Sequence, residues 1–329
     1  MRSFKKILVR IVILAAFLIV FDKAVRFVYQ SPGENIIYTK NDLKESKGEV
    51  ETLILGTSLA HWGVNGGVLG ELLDSTTFNL ATSAQPLEGS YYFLRQQLKD
   101  NPLERVFLGV HATSLINNYD ENTALKEGIF DRLSSPLLKA EYLLRTADTK
   151  EYEQYLFYAA RVENVMTWEK AKRYVKYKLS DDFRNNIPPE GQKMKYMGMG
   201  DENTQAVYDG SFDDESLGDD AIWAREKVYE TNEIYLQKIA DLCSENGVEL
   251  NLFVTPMTWE FTRLMGDLDD MHEYLEEFAE KNNANLFDAN QYEGIYEIFT
   301  DDCYQDKKHF NAKGAEKFSE LLAKWYQEQ

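Results

Sequence analysis

Three residues of this 329-residue chain have the types and setting for covalent acyl chemistry: Ser58, Asp306 and His309. A serine hydroxyl is a weak nucleophile until a base takes its proton, and a third group must orient that base. Asp306 and His309 stand three residues apart in Tyr304-Gln305-Asp306-Lys307-Lys308-His309-Phe310-Asn311. In a tight turn this spacing lets the carboxylate accept from one ring nitrogen while the other faces the serine. Ser58 closes Leu55-Gly56-Thr57-Ser58, where an apolar run breaks sharply. At the mouth of the helix that follows, its own N–H would point at a developing oxyanion, aided by the helix dipole. Taken singly, each has a plainer reading: Ser58 as a helix cap, Asp306 as a surface-turn residue. Asp288, just past the fifth predicted strand, is the alternative acid. Together they weigh more, because the elements around them converge.

Apolar patterning predicts strands over 51–55, 77–80, 105–110, 248–254 and 284–287. Helices are predicted over 68–73, after Pro86, before Asn246-Gly247, over 268–281 and over 312–325. Leu87, Tyr91, Leu94 and Leu98 line one helix face; Leu236, Ile239, Ala240 and Cys243 line another. Such alternation implies a parallel sheet covered on both faces: a three-layer α/β/α fold of about five strands. Ligands of open parallel sheets sit beyond the carboxyl ends of the strands. Ser58, Ser83 to Gln85, His111, and Thr255 to Trp259 follow four of those ends, and 304–311 comes after the fifth.

Composition is ordinary for a globular protein, with 44% hydrophobic and 28% charged residues. The formal charge of −19 argues against nucleic acid as a partner, since a phosphate backbone needs basic surface. None of the four histidines has zinc-site spacing, so no metal or other cofactor is expected. Cys243 and Cys303 lie far apart; a disulfide and two free thiols are both open. His272 sits in an acidic helix and is expected at the surface.

One interval breaks the rhythm. Residues 113–225 are too long for an ordinary connection and read as an insertion capping the core. Over 135–179 it is helical and aromatic-rich, with a basic stretch of Lys170, Lys172, Arg173, Lys176 and Lys178. That stretch reads as a solvated face or as contact with an anionic polymer or lipid headgroups. Over 186–220 it turns to Gly, Pro and an acidic run (Asp213, Asp214, Glu215, Asp219, Asp220) that lacks EF-hand spacing and reads as solvated loop.

Near the N-terminus, Lys5 and Lys6 precede residues 7–21, apolar except for Arg10; Asp22, Lys23 and Arg26 follow. The run covers roughly 22 Å, short of a hydrocarbon core of about 30 Å unless extended through 27–29 by snorkelling. No A-x-A-like cleavage site follows. Residues 1–29 are therefore expected to be an uncleaved signal-anchor helix crossing the membrane once, ahead of a cleaved signal or a buried core helix. The positive charge before the run would keep the N-terminus inside. A linker over 30–50 and a catalytic domain over 51–329 would then lie outside the cytoplasmic membrane.

Leu55-Gly56-Thr57-Ser58, the stretch Asn79-Leu80-Ala81-Thr82-Ser83-Ala84-Gln85, and Asp306-x-x-His309-x-Asn311-x-x-Gly314 before the last helix resemble the motifs of the SGNH/GDSL hydrolase superfamily. Within it, the chain is similar to membrane-anchored extracytoplasmic members, the DltD-like proteins and polysaccharide O-acetyltransferases. The resemblance covers 51–111 and 230–329 and leaves 113–225 outside. There is no G-x-S-x-G elbow, which argues against an ordinary α/β-hydrolase.

The resemblance implies a flavodoxin-like SGNH fold with Ser58 as the acylated nucleophile, His309 as base and Asp306 as its orienting acid. The N–H groups of Ser58 and Ala84 would form the oxyanion hole, Ala84 standing where the family has glycine. The family's Gly-x-Asn-Asp block is missing; Leu108-Gly109-Val110-His111 stands there. The asparagine's donor role falls to Gln85, to His111, or to neither. His61, His111 and Trp259 are candidate substrate contacts. The implied activity is O-acyl transfer or ester hydrolysis on a cell-envelope polymer or acylated carrier, with a multi-span membrane acyltransferase as a candidate partner. Its rival is a non-catalytic accessory protein that binds such an acyltransferase or the acylated polymer.

Overall fold

The computed structural model describes residues 2–119, 122–162, 167–211 and 222–329; the acidic run from Asp213 to Asp220 lies outside them. The chain opens with α1 (Arg2–Tyr29) and α2 (Asn35–Glu45), then β1 (Thr52–Gly56), α3 (Ser58–His61), α4 (Gly66–Leu73) and β2 (Thr77–Asn79). There follow α5 (Leu87–Asp100), β3 (Arg105–Gly109) and α6 (Ala112–Ile116). The insertion holds α7 (Thr123–Arg132), α8 (Pro136–Thr146), α9 (Tyr152–Leu156), α10 (Trp168–Lys178), α11 (Asp181–Arg184), β4 (Lys195–Gly198) and β5 (Asp201–Asn203). The core resumes with α12 (Glu230–Asn246), β6 (Glu249–Val254), α13 (Trp259–Thr262), α14 (Leu268–Asn282), β7 (Asn285–Asp288), α15 (Ile295–Ile298) and α16 (Ala312–Gln327).

β1, β2, β3, β6 and β7 form one sheet in the order β2-β1-β3-β6-β7, every pair parallel. A strand covered on both faces needs apolar side chains at every position, and all five residues of β1 are buried. Leu53, Leu55, Val106, Leu108, Leu250 and Leu252 share one hydrophobic cluster with residues of α5, α12 and α14. Ile54, Phe107, Phe253 and Phe287 point the other way, into a cluster with Leu69 of α4 and Phe318 and Leu322 of α16. The five strands fall where the apolar patterning put them. Cys243 lies in the first cluster and Cys303 in the second, both as free thiols. The sheet separates them, so the disulfide left open by the sequence does not form.

One expectation needs correcting and another finds no support. The polar linker over 30–50 contains α2, whose Tyr38 packs on Tyr196 of β4 with ring centroids 5.7 Å apart. Only tertiary contact makes this polar segment helical, which is why periodicity gave no sign of it. Nor, among the described residues, is any helix long and apolar enough to cross a membrane. Arg10 interrupts the apolar run of α1 and Lys6 and Asp22 bound it, so any stretch of about 20 residues takes in several charges. The expected spanning anchor is thus unsupported by the fold. What α1 does show is exposure: every residue from Ile7 to Phe21 is open to solvent. From Asp22 onward it is built into the domain. The Asp22 carboxylate accepts from the N–H of Ala159 at 3.0 Å, and Arg26 reaches Asp131 at 3.4 Å.

Some aromatic residues of the insertion pack it onto the core and others pack the insertion itself. Tyr142 is fully buried with its ring edge-on to Tyr92 of α5 at 5.0 Å, and Tyr155 meets Phe130 at 5.4 Å. Beyond them the chain forms the β4–β5 hairpin in a region that read as loop.

Candidate active site

The strand order reverses between β1 and β3, and such a switch point leaves a crevice at the carboxyl edge of a parallel sheet. α3 starts in that crevice. Gly56 at the end of β1 has φ +136, and a Cβ there would come within 2.8 Å of the Gly109 carbonyl. A side chain would push the strands apart just where the chain must turn. Thr57 then caps α3, accepting from the N–H of Leu59, and Ser58 takes the first helical position with its side chain half-buried.

Ser58 Oγ lies 2.8 Å from His309 Nε2, and His309 Nδ1 lies 2.9 Å from Asp306 Oδ2. Oδ1 of Asp306 also accepts the backbone N–H groups of Lys308 and His309, each at 3.0 Å. Burial would raise the Asp306 carboxyl, but the His309 hydrogen bond and charge and those N–H groups outweigh it and hold it near 2. An ionised Asp306 fixes the tautomer: Nδ1 carries the proton and Nε2 offers a lone pair to the serine.

The loop carrying these two residues is tied down along its length. The N–H of Gln305 donates to the His309 carbonyl at 2.9 Å, closing the turn. Thr258, just beyond β6, donates its hydroxyl to the Lys307 carbonyl at 2.7 Å. Asn311 caps α16 by accepting from Lys313 and Gly314, while its amide donates to the carbonyls of Asp302, Tyr304 and Ala206. At Gly314 a Cβ would stand 2.2 Å from the Cys303 carbonyl. The spacing Asp-x-x-His-x-Asn-x-x-Gly thus combines a charge pair, a cap with loop anchors, and a close backbone approach.

The second loop reaches the site by extending the sheet. Leu80 donates its N–H to Ile54, and Thr82 to Gly56, so residues 82–85 run beside Thr57 and Ser58. Ala84 has φ +50, a left-handed conformation that favours glycine. Its N–H and that of Ser58 have no partner among the described residues. Two free N–H groups near a nucleophile can hold an oxyanion.

The remaining candidates sort out differently. Gln85 is buried, accepting from Thr82 at 3.0 Å and donating one amide hydrogen to Ser90 of α5 at 2.8 Å. His111 is fully buried, and Nε2 accepts from the N–H of Thr255 at 3.1 Å. Burial pushes its pKa down to about 3, and the ring joins the segment after β3 to the segment after β6. His61 is also buried, with Nε2 3.0 Å from Glu202 of β5. Trp259 is exposed, edge-on to Tyr296 at 5.3 Å, in the wall of an open cavity of about 450 Å3. His272 is half-buried, 3.2 Å from Asp288, which also accepts from Asn290, so this acid is not on His309. Among the described residues no cluster of His, Cys, Asp and Glu is arranged to hold a metal.

Two features carried no sequence signal. Trp62 sets its ring edge-on to His309, 4.7 Å between centroids at 89°. A lone tryptophan four residues after a serine says nothing until α3 and the 304–311 loop are brought together. The other is a strap from the insertion, residues 199–208. Met199 accepts from Asn79, Asp201 accepts from the Asn79 side chain at 3.1 Å, Thr204 accepts from Ala312, and Tyr208 donates to Tyr304. The strap therefore joins the loop after β2 to the Asp306–His309 loop. An open cavity of about 510 Å3 lies beside it, lined by Tyr208, Gln305, Asp306 and Lys307. Larger cavities of about 680 and 750 Å3 are formed elsewhere and touch no residue of the triad.

No protein-family model matches the chain, and no curated protein matches it.

Proposed function

We propose that the protein is a serine-dependent acyl-transferring or ester-hydrolysing enzyme of the SGNH type. The observation that carries the reading is the relay Ser58 Oγ, His309, Asp306, with contacts of 2.8 and 2.9 Å. A sheet order equivalent to 2-1-3-4-5, as in flavodoxin-like folds, with the serine after the first strand and Asp-x-x-His before the last helix, supports the same family reading.

In this reading Ser58 Oγ attacks an ester carbonyl carbon while its proton passes to His309 Nε2. The N–H groups of Ser58 and Ala84 hold the oxyanion. Collapse expels the alcohol, which takes the proton from Nε2 and leaves acyl-Ser58. A second hydroxyl, of water or an acceptor, then gives its proton to Nε2 and attacks the acyl carbon, releasing Ser58. Asp306 orients the imidazole and stabilises its charged form. The acceptor is a cell-envelope polymer, and α1 holds the enzyme at the outer face of the membrane with its apolar surface buried there. The exposed length of that helix supports this attachment.

Intact-mass measurement after a fluorophosphonate probe tests the chemistry. A single adduct on Ser58, absent from Ser58→Ala, is expected. No adduct on correctly folded protein would leave a binding protein with an enzyme-like site.

A further inference from the structure

α10 carries five basic residues and one acid in an acidic protein, and its placement is informative. Ala171 and Lys178 are buried while Lys172, Arg173 and Lys176 are exposed, so one face packs and the other faces solvent. The packed face lies against α1. Lys178 donates its ammonium to the carbonyls of Phe27 and Gln30, each at 2.6 Å, capping the end of α1 with a charge. α10 is thereby locked to the part of α1 that enters the domain, beside the exposed apolar run that ends at Phe21. Trp168, at the start of α10, is 67% exposed, and Lys172 lies over its ring at 5.4 Å. Lys172 also pairs with Glu169; Arg173 and Lys176 have no carboxylate partner among the described residues.

We propose that the exposed face of α10, Lys172, Arg173 and Lys176 with Trp168 at its edge, binds the anionic headgroup layer of the bilayer that takes up α1. Three observations point to lipid over a soluble polyanion. The basic helix packs on α1, whose apolar run over 7–21 is exposed along its length. An exposed tryptophan next to cations is the side-chain set of a membrane interface. A net charge of −19 would otherwise repel an anionic surface, and a local basic face offsets that at the point of closest approach. Two contacts, α1 and α10, would also fix the tilt of the domain and hence the height of Ser58 above the lipid. The inference rests on the membrane attachment proposed above.

Two labelled forms of the full chain separate the proposals, since Cys243 and Cys303 are buried. Lys176→Cys and Ile13→Cys, each carrying an environment-sensitive fluorophore, are mixed with phosphatidylcholine vesicles with or without phosphatidylglycerol. The probe at 13 should respond to both vesicle types. The probe at 176 should respond to phosphatidylglycerol, and salt should suppress that response. Lys172→Glu with Arg173→Glu should lower partition into anionic vesicles by about 25-fold or more, at about fivefold per cation lost. A response at 13 with indifference at 176 overturns the role of α10 and leaves the attachment standing. Silence at both positions overturns the attachment and this inference with it. A response at 176 to dissolved polyphosphate that equals or exceeds the response to vesicles assigns the face to a polymer and overturns the lipid proposal.

Discussion

Ser58 and His309 are 251 residues apart in sequence and meet across 2.8 Å. Their contact is made by two independent devices, the capped turn into α3 and the anchored loop ahead of α16. Ser58→Ala removes the proposed nucleophile and little packing, so the fold should survive while fluorophosphonate labelling disappears. His309→Ala should be comparably severe. Asp306→Asn should keep the loop but lose the tautomer control, lowering turnover by roughly 10⁴-fold. Labelling rates and thermal melts measured on the same preparations check all three.

Two carboxyls of the site region should affect stability with opposite signs. Asp306 is held near 2, below its ordinary value of 3.8. Its contribution is full above about pH 4 and is lost as pH falls toward 2. Since its side chain is 49% exposed, solvent screening reduces that contribution to about 1 kcal/mol. Asp201 is buried and raised to about 6 by burial, against the N–H groups of Gly66 and Gly67 and the Asn79 amide. The folded form then binds more protons than the unfolded one between about pH 4 and 6, so stability falls as pH rises through that window, by at most about 3 kcal/mol. Chemical denaturation from pH 2 to 7 should show the upper slope disappear in Asp201→Asn and the lower one shrink in Asp306→Asn.

Much of the frame was legible because parallel strands buried on both faces leave near-continuous apolar runs such as Thr52–Gly56. The meeting of Ser58, His309 and Asp306 was legible because Asp306 and His309 are close in sequence and Ser58 follows a strand end. What was hidden depends on contacts between distant segments. α2 folds against a hairpin some 150 residues away, and Trp62 matters only once His309 arrives. Gln85 and His111 looked like donors because their types fit; their hydrogen bonds to Ser90 and Thr255 are fixed by tertiary packing. The charges of Asp22 and Arg26 looked like a membrane boundary, and in the fold they tie α1 to the insertion.

Ala84 stands at φ +50, in the left-handed region that favours glycine. Ala84→Gly relieves a left-handed conformation worth about 1–2 kcal/mol but makes the unfolded chain freer by about 0.4–1 kcal/mol. A small net gain in stability, about 0.5–1 kcal/mol, is expected. Because the backbone N–H is retained, turnover should be unchanged within about twofold. Ala84→Val, with a branched side chain at φ +50, should lose both stability and activity.

Gly314 offers the sharpest test that the site depends on backbone placement. Its Cα faces the Cys303 carbonyl so closely that a Cβ would sit 2.2 Å from that oxygen. The same carbonyl accepts the N–H of Asn311 at 3.0 Å, so it cannot retreat without loosening the cap of α16. Gly314→Ala must therefore shift the strand of chain between Cys303 and Asn311, which carries both Asp306 and His309. Overpacking of this kind costs about 1–3 kcal/mol. The loss of labelling rate at Ser58 should be larger than that cost alone predicts, because a displacement of about 1 Å can cost roughly 10²-fold in rate. Gly67→Ala is the control: its Cβ would meet only Asn65 Oδ1 at 3.3 Å, and it should alter neither property much. If Gly314→Ala labels at the wild-type rate at temperatures where it is fully folded, the loop has given way without moving His309, and the close approach serves the fold alone.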